Sequence, residues 1–247
     1  MRVRGFTLIE MVLTMVIGGI LVLAIAGFVE FGTKGYADSV ERQRLQTQAK
    51  FVLEKMSREL RHSVPNMLSD DLIIGSSSCI NFYPIDYAGF YTISGADVLF
   101  VVGGSYSNNQ IIDAGERLIT NPTSVSDAVN AIELTSANTT VSGAVFTLVS
   151  GASQLSSQSV ANRYYLFSQQ VAYCLRSGSA DIVRQQQDLA TGSQSLIPVS
   201  DSVINQGSFS YQGTNMEQAG LVHINLLFES QGEQTNYQQD VQVLNVP

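Results

Sequence analysis

The chain has 247 residues, of which 45% are hydrophobic and 14% charged, with a formal net charge of −8. That length holds one sizeable domain with an appendage, or two small domains. Residues 1–62 carry nine of the 13 Lys/Arg and six of the 21 Asp/Glu, whereas residues 63–247 carry four basic and 15 acidic groups, a net −11. So acidic a body excludes sequence-independent binding to nucleic-acid phosphates and docking on anionic lipid headgroups.

Met1 to Gly5 is a short leader with two positive charges, Arg2 and Arg4. From Phe6 to Val29 the chain is almost continuously apolar, with Glu10 its only charge. Residues 11–29 give 19 uncharged positions, enough to cross a hydrocarbon layer of about 30 Å as a helix. The flanking positives keep the leader in the cytoplasm and put everything after Val29 outside. A secretory signal peptide fits less well: the apolar run exceeds the usual length of about 7–15 residues, and no Ala-x-Ala pattern ends it before Glu30. A carboxylate at the start of an apolar core also costs insertion energy and so calls for a purpose. Gly18, Gly19 and Gly27 interrupt the segment; they suit close helix approach and equally a local weakening of up to about 1 kcal/mol each.

The run Gly5-Phe6-Thr7-Leu8-Ile9-Glu10 resembles the type III signal of type IV prepilins. The resemblance implies a cut after Gly5 by a dedicated prepilin peptidase, N-methylation of the new first residue Phe6, and an assembly role for the carboxylate of Glu10. Cleavage exposes an α-amine, which in a low-dielectric setting needs an anionic partner; a carboxylate one turn along a neighbouring helix supplies it. The apolar segment is then membrane anchor first and filament core later. Loss of Arg2 and Arg4 takes the charge from −8 to −10.

A helical pattern continues to about His62. Val40, Leu45, Ala49, Val52, Met56 and Leu60 recur at spacings of three to five and mark one apolar stripe, while Glu54 and Arg58 have the favourable i,i+4 order. Pro65 ends the helix by pushing Val64 out of the α region. A rod from Phe6 to His62 would be about 85 Å long, more than one compact domain buries, so its first half needs lipid or other subunits. The stretch from Phe51 to Asn66 resembles the helix end of J-type minor pilins and pseudopilins, most of all minor pilins of mannose-sensitive haemagglutinin (MSHA) pili. The segment Tyr237–Pro247 and the surroundings of Cys79 and Cys174 are similar to that subgroup too. This implies a low-abundance subunit that initiates or caps a filament, with other minor and major pilins and an inner-membrane assembly platform as partners. The J-type pseudopilin of type II secretion and a tip-displayed adhesin are the alternatives.

The rest reads as antiparallel β-structure. Candidate strands are Leu72–Ile74, Cys79–Pro84, Val98–Val102, Ala131–Thr135, Ala144–Val149, Arg163–Ser168, Val171–Arg176, Ile182–Gln185, Gly220–Phe228 and Tyr237–Val246. Alternation is cleanest at Val222, Ile224, Leu226 and Phe228, as in a half-buried strand. Gly, Ser and Asn clusters at Gly103–Asn109 and Ser150–Ser159 read as loops. The expected fold is α+β and pilin-like: leader 1–5, membrane helix 6–29, amphipathic helix half 30–62, and a periplasmic β-rich domain 63–247.

Two distant cysteines do not make a metal site. In an exported body Cys79 and Cys174 form a disulfide, stabilising by about 4–5 kcal/mol in the chain-entropy model; otherwise they are two buried thiols acting as small hydrophobes. His62, at a helix C-terminus, and His223, on a strand, are the only histidines. No nucleophile elbow, phosphate-binding loop or zinc helix motif occurs, so the chain reads as no enzyme and as needing no cofactor. Asp70–Asp71 and Asp113/Glu116 are the nearest approach to a calcium site, without its ligand spacing. The stem, at +2 over residues 30–62, is suited electrostatically to neighbouring acidic bodies.

Overall fold

A computed structural model describes residues 6–71, 73–74, 77–102, 115–176, 181–200, 204–213, 219–230 and 232–243. The leader with Gly5, the loop at 103–109 and Asp113 lie outside the described residues. The chain divides into two compact units, residues 1–47 and 48–247.

One helix, α1 (Leu8–Arg61), runs through both units for 54 residues, within two residues of the expected limits at each end. It continues without a break past Gly18, Gly19 and Gly27, where an added Cβ would meet no atom within 4 Å. The apolar stripe is buried at Leu45, Ala49, Val52, Met56 and Leu60, and Leu53 joins it. Val40 does not: it is 46% exposed. Its spacing of five from Leu45 rotates it about 140° around the helix, away from the packed face. Beyond Arg61, the His62 carbonyl accepts a hydrogen bond from the Ile85 amide at 2.9 Å, and the chain turns directly into a strand.

The body strands, in chain order, begin with β1 (Ser63–Ser69), β2 (Ile73–Ile74), β3 (Ser77–Pro84), β4 (Tyr87–Ser94) and β5 (Asp97–Val101). There follow β6 (Arg117–Ile119), β7 (Ile132–Glu133), β8 (Thr139–Ser142), β9 (Val145–Leu148), β10 (Arg163–Phe167) and β11 (Gln169–Leu175). Last come β12 (Ile182–Asp188), β13 (Gln194–Pro198), β14 (Ile204–Gln212), β15 (Gly220–Ser230) and β16 (Glu233–Val243). Each candidate strand has a counterpart here, whereas β1, β4, β6, β8, β13 and β14 were not legible. Among the described residues every pairing is antiparallel, and the strands divide among three sheets: β1-β3-β11-β12-β13 with β2 on β3, then β7-β6-β10-β4-β5-β9-β8, then β14-β15-β16.

One two-stranded ribbon passes through the first two sheets. β3 runs into β4 and β10 into β11, with β3 paired to β11 and β4 to β10. At the crossing the Asp86 amide donates to the Leu166 carbonyl at 2.9 Å, and the Asp86 carboxylate accepts from the Ser168 amide and hydroxyl at 2.7 and 2.6 Å. These bonds satisfy the backbone where the ladder changes sheet. The seven-stranded sheet gathers side chains from most of its strands into one core, including Tyr91, Phe100, Leu118, Phe146, Tyr164 and Leu166. Its other side packs Tyr165 and Phe167 with Val64 and Met67 of β1. In β15 the alternation holds as expected, with Val222, Ile224, Leu226 and Phe228 all buried.

Candidate functional site

The N-terminal segment is built from a helix start. Thr7 is the last residue before α1; its hydroxyl accepts the Glu10 amide at 3.3 Å, and its carbonyl accepts the Met11 amide at 3.2 Å. The spacing Thr7-x-x-Glu10 is that of a capping box, a signal carried by the sequence itself. It sets Glu10 in the first turn, where the helix dipole favours an anion, and Glu10 is exposed. Every large apolar side chain from Phe6 to Phe31 is exposed as well. By length and composition the first part of α1 can cross a membrane.

In the body, Cys79 and Cys174 face each other in register on β3 and β11, with Cα atoms 4.1 Å apart, and are bonded. Of the two readings of these residues the structure bears out the disulfide. The bridge sits among Ala172 and Val183. It closes a segment, 95 residues apart in sequence, that contains all of the seven-stranded sheet.

The helix is tied to the body by an ion pair that sequence reasoning did not find: Arg184 Nε lies 2.8 Å from Glu59 Oε2, and its guanidinium also donates to Gln186. Burial pushes the pKa of the neighbouring Tyr173 hydroxyl up, and the Glu59 carboxylate adds to the shift. The expected Glu54–Arg58 pair forms at 2.6 Å. His62 caps the helix end, its Nδ1 2.8 Å from the Arg58 carbonyl. His223 pairs across the ladder with Asp240 at 2.6 Å.

The carboxylates considered for calcium are engaged otherwise. Asp70 accepts the Tyr211 amide, Asp71 contacts the Ser69 hydroxyl, and Glu116 is buried. Among the described residues no group of three or more His, Cys, Asp or Glu side chains could hold a metal ion.

Residues 1–26 match the prokaryotic N-terminal methylation motif, the leader of type IV pilin-like prepilins. The motif indicates a type IV pilin-like or pseudopilin-like protein, a structural rather than enzymatic class, and the exposed apolar helix beside it fits membrane anchoring. It also implies dealings with a prepilin peptidase and with other pilins. No curated protein and no solved structure matches the chain.

Proposed function

We propose that the chain is a minor type IV pilin that acts in the initiation, assembly or tip of a filament. Prepilin peptidase cuts after Gly5, Phe6 becomes the N-methylated first residue, and Glu10 is the carboxylate that meets the α-amine of a neighbouring subunit. Before assembly the chain crosses the inner membrane once, with residues 63–247 in the periplasm; afterwards the same helix lies in the filament core. The observation that carries this reading is the methylation motif at the start of a helix whose large apolar side chains from Phe6 to Phe31 are all exposed. The disulfide supports a body that matures in an oxidising compartment. Within the class, the stretch Phe51–Asn66 and the C-terminal strand favour the minor pilins of MSHA pili over the J-type pseudopilins of type II secretion.

Intact mass and N-terminal sequencing of the membrane-extracted protein, with and without the peptidase, test the proposal. The expected product starts at methylated Phe6 and depends on the peptidase. A chain that still starts at Met1, or one cut beyond Val29, contradicts it.

A further inference from the structure

We propose that residues 32–39 of α1 form a joint that opens while the N-terminal stretch lies in a membrane. The inference rests on the reading that places residues 6–29 in the bilayer. α1 meets three environments along one uninterrupted backbone. From Met11 to Val29 it is uncharged and its large apolar side chains are exposed. From Leu45 onward a buried stripe holds it, with Ala49, Val52, Met56 and Leu60 in that stripe. Between the two, from Glu30 to Arg44, only Glu41 is even partly covered, and charges resume with Glu30, Lys34 and Asp38. That middle stretch has neither lipid nor core to support it, and a helix of about 12–15 residues on its own is marginal in water.

The residues of this stretch weaken the helix further. Gly32 and Gly35 are the last glycines of α1, and a Cβ added at either would meet no atom within 4 Å. No close neighbour demands a glycine there; what each supplies is backbone freedom, at a cost in helix stability relative to alanine. Beside them Thr33 Oγ1 donates to the Val29 and Glu30 carbonyls at 2.9 and 3.0 Å, and Ser39 Oγ donates to the Gly35 carbonyl at 2.8 Å. Hydroxyls bonded back in this way compete with the helical ladder for those carbonyls and favour bending. Sharp bends in helices gather at such combinations of Gly and Ser.

Gly18, Gly19 and Gly27 lack close neighbours too, yet they do not make an equal joint. In hydrocarbon a freed amide or carbonyl finds no partner, so the ladder stays closed there despite its glycines. At 32–39 water takes up each freed group, and the Thr33 and Ser39 hydroxyls already hold carbonyls that opening would release. Opening is local, because these exposed turns have little packing to lose. The anchor can therefore stay seated in the bilayer while the chain beyond Ser39 changes direction.

The test is amide hydrogen exchange on the full-length chain in lipid nanodiscs. Amides of 32–39 should exchange about tenfold faster or more than those of 11–29 and 49–60. Gly32→Ala/Gly35→Ala should slow them by about tenfold, the sum of two glycine replacements, whereas Gly18→Ala/Gly19→Ala should leave them unchanged. Spin labels at Leu23 and Gln43 read the bend itself. A straight helix sets them about 30 Å apart; the joint broadens that distribution toward shorter distances, and the alanine pair at 32 and 35 narrows it. Protection at 32–39 equal to that at 49–60, a single narrow distance, or exchange indifferent to that alanine pair would overturn the proposal. Any of these with slow exchange at 11–29 removes the joint alone. Exchange at 11–29 as fast as at 32–39 removes the membrane placement as well.

Discussion

The two ends of α1 have the same backbone and opposite surroundings. From Phe6 to Phe31, 17 large apolar side chains are exposed; from Ala49 to Leu60, five apolar side chains are buried. Leaving a large apolar side chain in water forfeits about 1.5–3 kcal/mol, so the first stretch forfeits tens of kcal/mol, more than the roughly 5–15 kcal/mol that holds a domain folded. That stretch therefore has a solvent other than water, lipid or the helices of other subunits. The second stretch obeys the ordinary rule, one stripe inward and charges outward. The difference teaches that continuity of a helix says nothing about continuity of its environment.

The comparison can be broken by substitution. The largest expected effect lies wholly in the body: Cys79→Ala with Cys174→Ala removes a cross-link worth about 4–5 kcal/mol in the chain-entropy model. Thermal unfolding of the body should fall by roughly 10 °C or more, with anchoring of the N-terminal half unchanged; an unmoved Tm would contradict this. Next, Met56→Ala should lower stability by about 2–5 kcal/mol, while Leu21→Ala should leave unfolding of the body where it was. Equal shifts from both would erase the distinction drawn here, and denaturant titration in detergent reads it. The smallest effect is local. The Thr191 amide and hydroxyl and the Ala190 amide hold the Asp188 carboxyl below the usual carboxylate range. A lowered folded pKa means the turn's support is complete above the ordinary value of about 3.9 and is lost as the pH falls through the lowered one. Carbon-13 titration of Asp188 should therefore show a midpoint below that value.

Legibility in the sequence followed how local each signal was. The leader motif and the alternation of β15 need only neighbours along the chain, and both could be read. β4 and β14 were missed because each contains a glycine that looks like loop punctuation. At Gly89 a Cβ would lie 2.7 Å from the Val101 carbonyl, and at Gly207 one would lie 2.8 Å from the Leu226 side chain; in both, glycine admits a neighbouring strand rather than ending one. β1 is broken by Pro65 and by Asn66, whose φ of 61° falls in the left-handed region, so no period of two survives there. Glu59 and Arg184 are 125 residues apart, and no spacing along the chain announces their meeting. At the N-terminus the leader motif was legible over residues 1–26, whereas the cap at Thr7 shows in the sequence only as the short spacing Thr7-x-x-Glu10.

The position of the disulfide has a mechanical consequence. A pull transmitted along α1 enters the body through β1 and, by Cys79, meets a covalent bridge to Cys174. Tension between the helix and any point beyond Cys174 takes that shortcut. All seven strands of the larger sheet, β4 to β10, lie within the bypassed segment. While the bridge is intact that sheet hangs beside the covalent load path, and tension reaches it only through its packing on Val64 and Met67 of β1 and through the ribbon it shares with β3 and β11.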